Sequence, residues 1–510
     1  MKNLIIFLII SIFVIFINAF PNYYAYLQTP KDMVFSGQAT WFDPWDLNLY
    51  VSVINWGQNH GILLPNVYTT KENNPILFYP LYTISGLIFP SIDPYLIFHL
   101  LAIFMGLILM FILWKTIKVF LTTSKIQFIA LFLISLGGGV GWLFFPNSPS
   151  SDLYMTGFTY LSHFQRPHEA LGITFYLLSL MGFYLAANKS SYLINLFSLI
   201  SLIMLIFFYP FYLLSYGLIC GFYSFYLLLY KHKKPIIMLL INLILASIVL
   251  VFYYQHLQSN IQFAGILNQK LSNQNLIELM LGWGILLPLV ILQLKSPNKD
   301  RRFYFLIFWF FISLFLSFLP FGFARFYLRT LFFPIIILVV LNIQYLSKLI
   351  HVNQKNILIL LIILVPISSF YITYKRLDET SKNNPWIYLS KEENEALNFL
   401  NENGKNAGVL SGYTLGNMLP AKTDSRVYFG HLLQTPNSQE KINNLIRFYS
   451  NTFSEGEAKK FLENEKINYI IWGKEEQNIT YTYSMSKEKQ LKYKFLKREF
   501  KDGNIIILSY

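Results

Sequence analysis

Charge is the scarcest ingredient of this chain. Asp, Glu, Lys and Arg together make up 13% of its 510 residues, against roughly 25% in soluble domains. With 55% of residues hydrophobic and 18% aromatic, a chain this long cannot cover itself with a polar surface. It must use lipid as solvent over most of its area. Cysteine is almost missing: Cys220 stands alone inside an apolar run. That excludes an internal disulfide framework and leaves the redox compartment undefined. There is no internal repeat and no low-complexity linker, which argues against the repeated halves of many transporters. Acidic residues are outnumbered by basic ones, 26 to 40. The excess punctuates apolar runs and does not gather on one soluble face. It therefore reads as membrane topology, with no nucleic-acid partner implied.

What is present is a series of long apolar runs. A spanning helix needs about 20 mostly apolar residues. The runs near 3–20, 95–114, 126–145, 168–187, 192–208, 211–230, 236–254, 276–294, 303–323, 330–348 and 356–374 suit that length, giving about eleven transmembrane helices. The first is expected to stay uncleaved. Its apolar core exceeds the roughly 7–15 residues of a signal peptide, and Pro21-Asn22-Tyr23-Tyr24 offers no small-residue cleavage site. Positive charge supplies the orientation. Lys115, Lys118 and Lys125, then Lys189, then Lys231, Lys233 and Lys234, then Lys295, Lys299, Arg301 and Arg302, and finally Lys355 fall in alternate connections. Those connections, and the N-terminus, are expected on the cytoplasmic side. Residues 76–89 are too few to span and carry Pro80, which suits a helix lying at the interface. Residues 1–374 thus form a transmembrane domain with a large first outer loop at 21–94.

After Tyr374 the chain turns polar and mixed in charge. A helical pattern over 391–403 ends at Gly404, a plausible stop. Residues 408–410 and 467–472 read as short buried strands, with helices near 437–450 and 456–465 between them. The stretches 495–500 and 505–510 flank Lys501-Asp502-Gly503-Asn504 and read as a hairpin. Residues 375–510 are therefore expected to be a soluble extracytoplasmic α/β domain.

Acidic residues are so few that their positions carry weight. The first outer loop reads Trp41-Phe42-Asp43-Pro44-Trp45-Asp46-Leu47-Asn48-Leu49-Tyr50. Asp46 opens an amphipathic stretch with apolar residues at Leu49, Val53, Ile54 and Trp56, and Gly61 closes it. A carboxylate in a first helical turn is favoured by the helix dipole, so a cap is the plain reading. The wider pattern adds a second one. An acidic residue just after the first span is followed by Tyr50 four residues later, Gly61 fifteen later and Pro65 nineteen later. This resembles the first outer loop of the GT-C glycosyltransferases, a superfamily that includes protein mannosyltransferases and aminoarabinose lipid A transferases. Asn74-Pro75 and the apolar stretch after it resemble their juxtamembrane segment. The likeness extends over the helix order, the outer loops and the terminal domain, and suggests a subgroup outside the named branches. The Trp-Trp-Asp-Tyr-Gly signature of oligosaccharyltransferases is absent, which argues against that branch.

The resemblance implies an α-helical polytopic GT-C fold, with Asp46 as general base or metal contact, Asp43 as the neighbouring alternative and Tyr50 beside the substrate. A carboxylate suits that task, because an acceptor hydroxyl attacking an anomeric carbon needs a proton acceptor in place. The second outer loop, 146–167, and the helix after it carry Asp152, His163, Arg166, His168 and Glu169. Two histidines and two carboxylates within 18 residues offer ligands for a divalent metal such as Mg or Mn. Glu169 or His168 holds the position where the superfamily more often has Asp, and this departure leaves metal dependence open. Ordinary loop polarity, with Glu169 at a helix start, is the alternative. Arg325 and Arg329 lie where one span emerges outside and the next begins. Four residues apart, they would share a helical face. Snorkelling to the interface is one reading. The other is a clamp on the lipid phosphate, with Arg166 assisting. Gly137-Gly138-Gly139-Val140-Gly141-Trp142 lacks the Lys-Ser/Thr of a phosphate loop and reads as close packing or a bend.

The expectation is a membrane glycosyltransferase of the cell envelope. It would transfer a hexose or pentose, with inversion, from a polyprenyl-phosphate donor to a glycan, lipid or protein acceptor on the outer face. A flippase or transporter of a lipid-linked substrate and a non-catalytic assembly protein are the alternatives.

Overall fold

The computed structural model describes residues 2–145, 147, 150–260, 275–297, 299–483 and 491–510; Pro146, the expected start of the second outer loop, lies outside them. The described residues fall into two compact units.

The first unit holds residues 2–21, 100–254 and 275–376 and is helical. Among the described residues, six helices are long and apolar enough to cross a membrane: Lys2–Leu27, Pro94–Phe120, Pro167–Lys189, Tyr212–Leu229, Lys234–Gln258 and Gln354–Thr380. The count rises to eight if each of two bent pairs is one span. These pairs are Leu276–Trp283 with Leu286–Gln293, bent by 91°, and Ala324–Thr330 with Phe332–Leu341, bent by 40°. Each of the eleven apolar runs carries helix, so the chain is a multi-pass membrane protein. Two of the helices, Ser124–Leu136 and Tyr192–Ile206, are shorter than a crossing requires. Short polar side chains start several helices. Asp300 accepts from the amides of Arg302 and Phe303, Asn275 from Glu278 and Asn353 from Lys355, each satisfying amides that have no partner inside the helix.

The glycine run explains why one expected span is cut short. The helix ends at Leu136, and Gly139 passes so close to the broken pair that a Cβ there would stand 1.9 Å from the Leu281 carbonyl oxygen. The Val140 amide donates to that same oxygen at 2.9 Å. Fully buried Asp152 fixes the bend. It accepts from the Gly139 amide at 2.7 Å and from the hydroxyls of Ser150 and Ser368. Burial pushes its carboxyl upward against those hydrogen bonds.

The second unit holds residues 22–99, 255–260, 377–483 and 491–510, so the loop after the first apolar helix and the C-terminal segment form one body. Strand β1 (Met33–Phe35) pairs antiparallel with β2 (Tyr388–Ser390). A five-stranded sheet runs in the order β4 (Arg426–Val427), β3 (Gly408–Leu410), β5 (Tyr469–Trp472), β7 (Ile505–Ser509) and β6 (Lys497–Asp502). The first three strands are mutually parallel and the last two close the sheet as an antiparallel hairpin. Helices Lys391–Asn403 and Glu455–Asn464 each begin with a reciprocal capping box, Ser390 with Glu393 and Ser454 with Glu457. Leu410, Phe448, Tyr449, Leu462 and Ile470 centre the apolar core behind the sheet. In the loop after the first apolar helix, helix Pro44–His60 crosses helix Pro80–Ile88 at two glycines. A Cβ on Gly86 would meet the Ile54 carbonyl oxygen at 2.1 Å, and one on Gly57 would meet that of Thr83 at 2.3 Å. The far side of the shorter helix exposes Ile84, Leu87 and Ile88, as an interfacial helix would.

Candidate functional site

Each unit carries its own polar cluster. In the second, Asp43 adopts a left-handed conformation (φ 44°) just before the helix and Pro44 occupies its first turn. Asp46 follows in that turn, its side chain about one-fifth exposed. Its Oδ1 lies 3.0 Å from Nε2 of His431. The histidine is buried, and its Nδ1 accepts from the amides of Leu433 at 3.2 Å and Gln434 at 3.3 Å. The remaining nitrogen is then the donor, so His431 donates to Asp46. Asn417, from helix Tyr413–Lys422, ties the arrangement together. Its Nδ2 donates to the carbonyls of Trp45 at 3.2 Å and Gly430 at 2.9 Å. Its Oδ1 accepts from Asn48 at 2.8 Å, and Tyr68 donates to its backbone carbonyl at 3.1 Å. Tyr50, the expected substrate contact, is 5% exposed and packs against Tyr82 and Phe98.

The turn after β3 is held from another side. Glu475 accepts from the amides of Tyr413 and Thr414 at 2.8 and 3.1 Å. Glu476 accepts from those of Gly412 and Gly473 at 2.5 and 2.8 Å. Burial, and next the Asp46 carboxylate, push the Tyr413 phenol up to about 12.

In the first unit, Glu169 is buried in the first turn of helix Pro167–Lys189. Arg166 and Arg329 each bring a guanidinium nitrogen to 3.5 Å from its Oε1. His163 meets its Oε2 through Nδ1 at 2.9 Å and the Arg329 carbonyl through Nε2 at 3.0 Å. Two guanidinium groups and an imidazole converge on one carboxylate. Arg329 also lies 4.1 Å from the Phe326 ring centre, and its buried Nε, like the buried Tyr160 and Tyr209 hydroxyls, has no hydrogen-bond partner among the described residues. Arg325 is less buried and 5.6 Å from the same ring. The segment that bears both arginines is a 3-10 helix. At about three residues per turn, a four-residue spacing turns them about a third of a turn apart, so the α-helical face expected for them does not form.

The donor set bears on the metal. Glu169 faces two guanidinium groups and Asp152 is enclosed by amide and hydroxyl donors, so neither presents an oxygen to a cation. Among the described residues, no three His, Cys, Asp or Glu side chains converge. The surroundings of His168 and Glu169 therefore do not fit the divalent ion for which the loop composition argued. His431 and Asn417 join the cluster around Asp46 and Asn48 from 385 and 369 residues along the chain, and they are not among the candidates read from the sequence.

No family model and no curated relative matches the chain. Solved structures do. The archaeal oligosaccharyltransferase AglB from Archaeoglobus fulgidus, in complex with an inhibitory peptide and a dolichol-phosphate, superimposes with a TM-score of 0.53. It is 13% identical over 91% of this chain and 69% of its own. The Archaeoglobus fulgidus oligosaccharyltransferase in its apo form gives 0.56 at 13% identity, with the same two coverages. Its complex with Zn and sulfate gives 0.52 at 15% identity over 89% of this chain and 67% of that one.

The chain shares the fold of these oligosaccharyltransferases.

At such identities it is the fold that is shared. The GT-C arrangement of membrane helices followed by a terminal sheet domain is the one expected from the order of spans and loops.

Proposed function

We propose that this protein is a membrane glycosyltransferase that moves a sugar from a polyprenyl-phosphate carrier to an acceptor hydroxyl outside the cell membrane. The two guanidinium groups of Arg166 and Arg329 around the single carboxylate Glu169 carry the reading, because the surplus positive charge and the Arg329 Nε, unpartnered among the described residues, suit a phosphate. The GT-C fold supports it, since the similar enzyme binds a dolichol-phosphate. Asp46 takes the proton of the acceptor hydroxyl while that oxygen bonds to the anomeric carbon. The bond from that carbon to the phosphate oxygen breaks, and the carrier phosphate leaves with the electron pair; within the first unit, Arg329, Arg166 and His163, with Arg325 assisting, are the side chains suited to bind such a phosphate. Direct displacement inverts the anomeric centre. His431 orients Asp46, and Asp43 is the neighbouring carboxylate.

Asp46→Asn preserves size and tests the base. Loss of a general base costs about 10²–10⁴ in rate, so transfer from a radiolabelled polyprenyl-phosphate sugar should fall by that factor in a variant that still binds the carrier. Transfer at the parental rate would remove Asp46 from the chemistry. The two bent helix pairs favour a second reading, a flippase. It expects the Asn variant to move lipid-linked substrate unchanged.

A further inference from the structure

Beside Asp46 the second unit carries a surface of another kind. Trp45, Trp386 and Tyr413 are each partly exposed. Their rings meet edge to face, Trp45 with Trp386 at 6.1 Å and 67° and Trp386 with Tyr413 at 5.7 Å and 79°. Buried Phe429 backs Tyr413 at 5.6 Å. The rings come from three distant stretches: the first turn of helix Pro44–His60, the segment entering β2 and the first residue of helix Tyr413–Lys422. Their positions are fixed from below. Asn417 holds the Trp45 carbonyl, and Glu475 holds the Tyr413 amide. Carboxylates border the rings. Asp46 adjoins Trp45 in sequence, and the charges of both Asp46 and Asp43 reach the Tyr413 hydroxyl.

Aromatic faces next to carboxylates match the two sides of a sugar ring. Its C–H face is apolar and lies well on a π surface, and the hydroxyls at its edge donate to carboxylate oxygens. A lipid tail would gain nothing from the carboxylates, whose desolvation costs free energy. An extended peptide would look for unpaired backbone groups along a strand, whereas the elements here offer side chains.

We propose that Trp45, Trp386 and Tyr413 form the acceptor subsite, and that the acceptor is a glycan held by its ring faces with one hydroxyl turned to Asp46. This rests on the transferase reading and names the acceptor class within it.

The test uses the full chain in lipid nanodiscs and saturation-transfer NMR. The probes are trisaccharides of hexoses, N-acetylhexosamines and deoxyhexoses, with a Ser/Thr-containing hexapeptide for comparison. The ring C–H protons of at least one trisaccharide should take up saturation. Affinity should drop roughly fivefold to tenfold in Trp386→Ala and in Tyr413→Ala, and persist in Trp386→Phe. Unchanged thermal midpoints and unchanged polyprenyl-phosphate binding in the alanine variants show that the chain is folded. Saturation of the hexapeptide alone, of no probe, or of a trisaccharide equally in Trp386→Ala would overturn the glycan subsite while leaving carrier binding intact. A chain that binds saccharide through Trp386 yet transfers no sugar would keep the subsite and remove the transferase.

Discussion

Glu476 has no exposed surface, yet both its oxygens are spent on backbone amides. Burial pushes its carboxyl up to about 7, opposed by the Gly412 amide and reinforced by the neighbouring Glu475 carboxylate. The sign of the consequence follows from linkage. The folded chain holds a proton that the unfolded chain releases above its ordinary pKa of 4.5. The stabilisation is therefore complete below pH 4.5 and disappears as pH rises through about 7, a change of about 3 kcal/mol. Thermal midpoints of the purified chain should decline between pH 5 and 8, and Glu476→Gln should flatten that decline. An equal slope in both proteins would assign it to other groups. The pair also bears on the site, because the turn it holds begins the helix that carries Asn417, and Asn417 fixes the Trp45 carbonyl next to Asp46.

At the scale of elements, the crossing of helices Pro44–His60 and Pro80–Ile88 depends on the absence of side chains. Gly86→Leu would drive a side chain into the backbone at Ile54. Overpacking of this kind costs about 1–3 kcal/mol, so the variant should unfold at a lower temperature and lose transfer by shifting the helix that bears Asp46. Gly456→Ala is the matched control. A Cβ there meets nothing within 4 Å, and helix Glu455–Asn464 should gain a few tenths of a kcal/mol or more from the better helix former. If the leucine variant matched the wild type in midpoint and transfer, the crossing would not be what holds this helix.

For the whole molecule the open question is which face of the membrane each unit meets. Lys233 and Lys405 are both exposed, and the charge pattern assigns the first to the cytoplasm and the second to the outside. In a Cys220→Ala background, a membrane-impermeant thiol reagent applied to intact cells should label Lys405→Cys and leave Lys233→Cys unlabelled until the cells are opened. The reverse pattern would invert the topology and move the carrier chemistry to the cytoplasmic face.

Composition by itself determined that the protein lives in a membrane, because 13% charge leaves no way to dissolve the rest in water. Local sequence also located elements whose signals are short-range. Helix Lys391–Asn403 stops before Gly404, strand β3 occupies 408–410, and the hairpin turns at Gly503, where φ is 49°. These depend on neighbours in the chain, so the chain displays them. Other features needed the tertiary structure. The helix break at Gly284, the early end of the helix at Leu136 and the buried Asp152 form one packing arrangement drawn from distant segments, and hydropathy sees each run only as apolar. Nothing near Asp46 announces a histidine 385 residues later. Nothing near Arg329 announces that its charge is shared with Glu169 and that its helix is 3-10. A side chain's partner is decided by which surfaces fold against each other, and in a chain this poor in charge each such pairing redefines what the few charged residues can do.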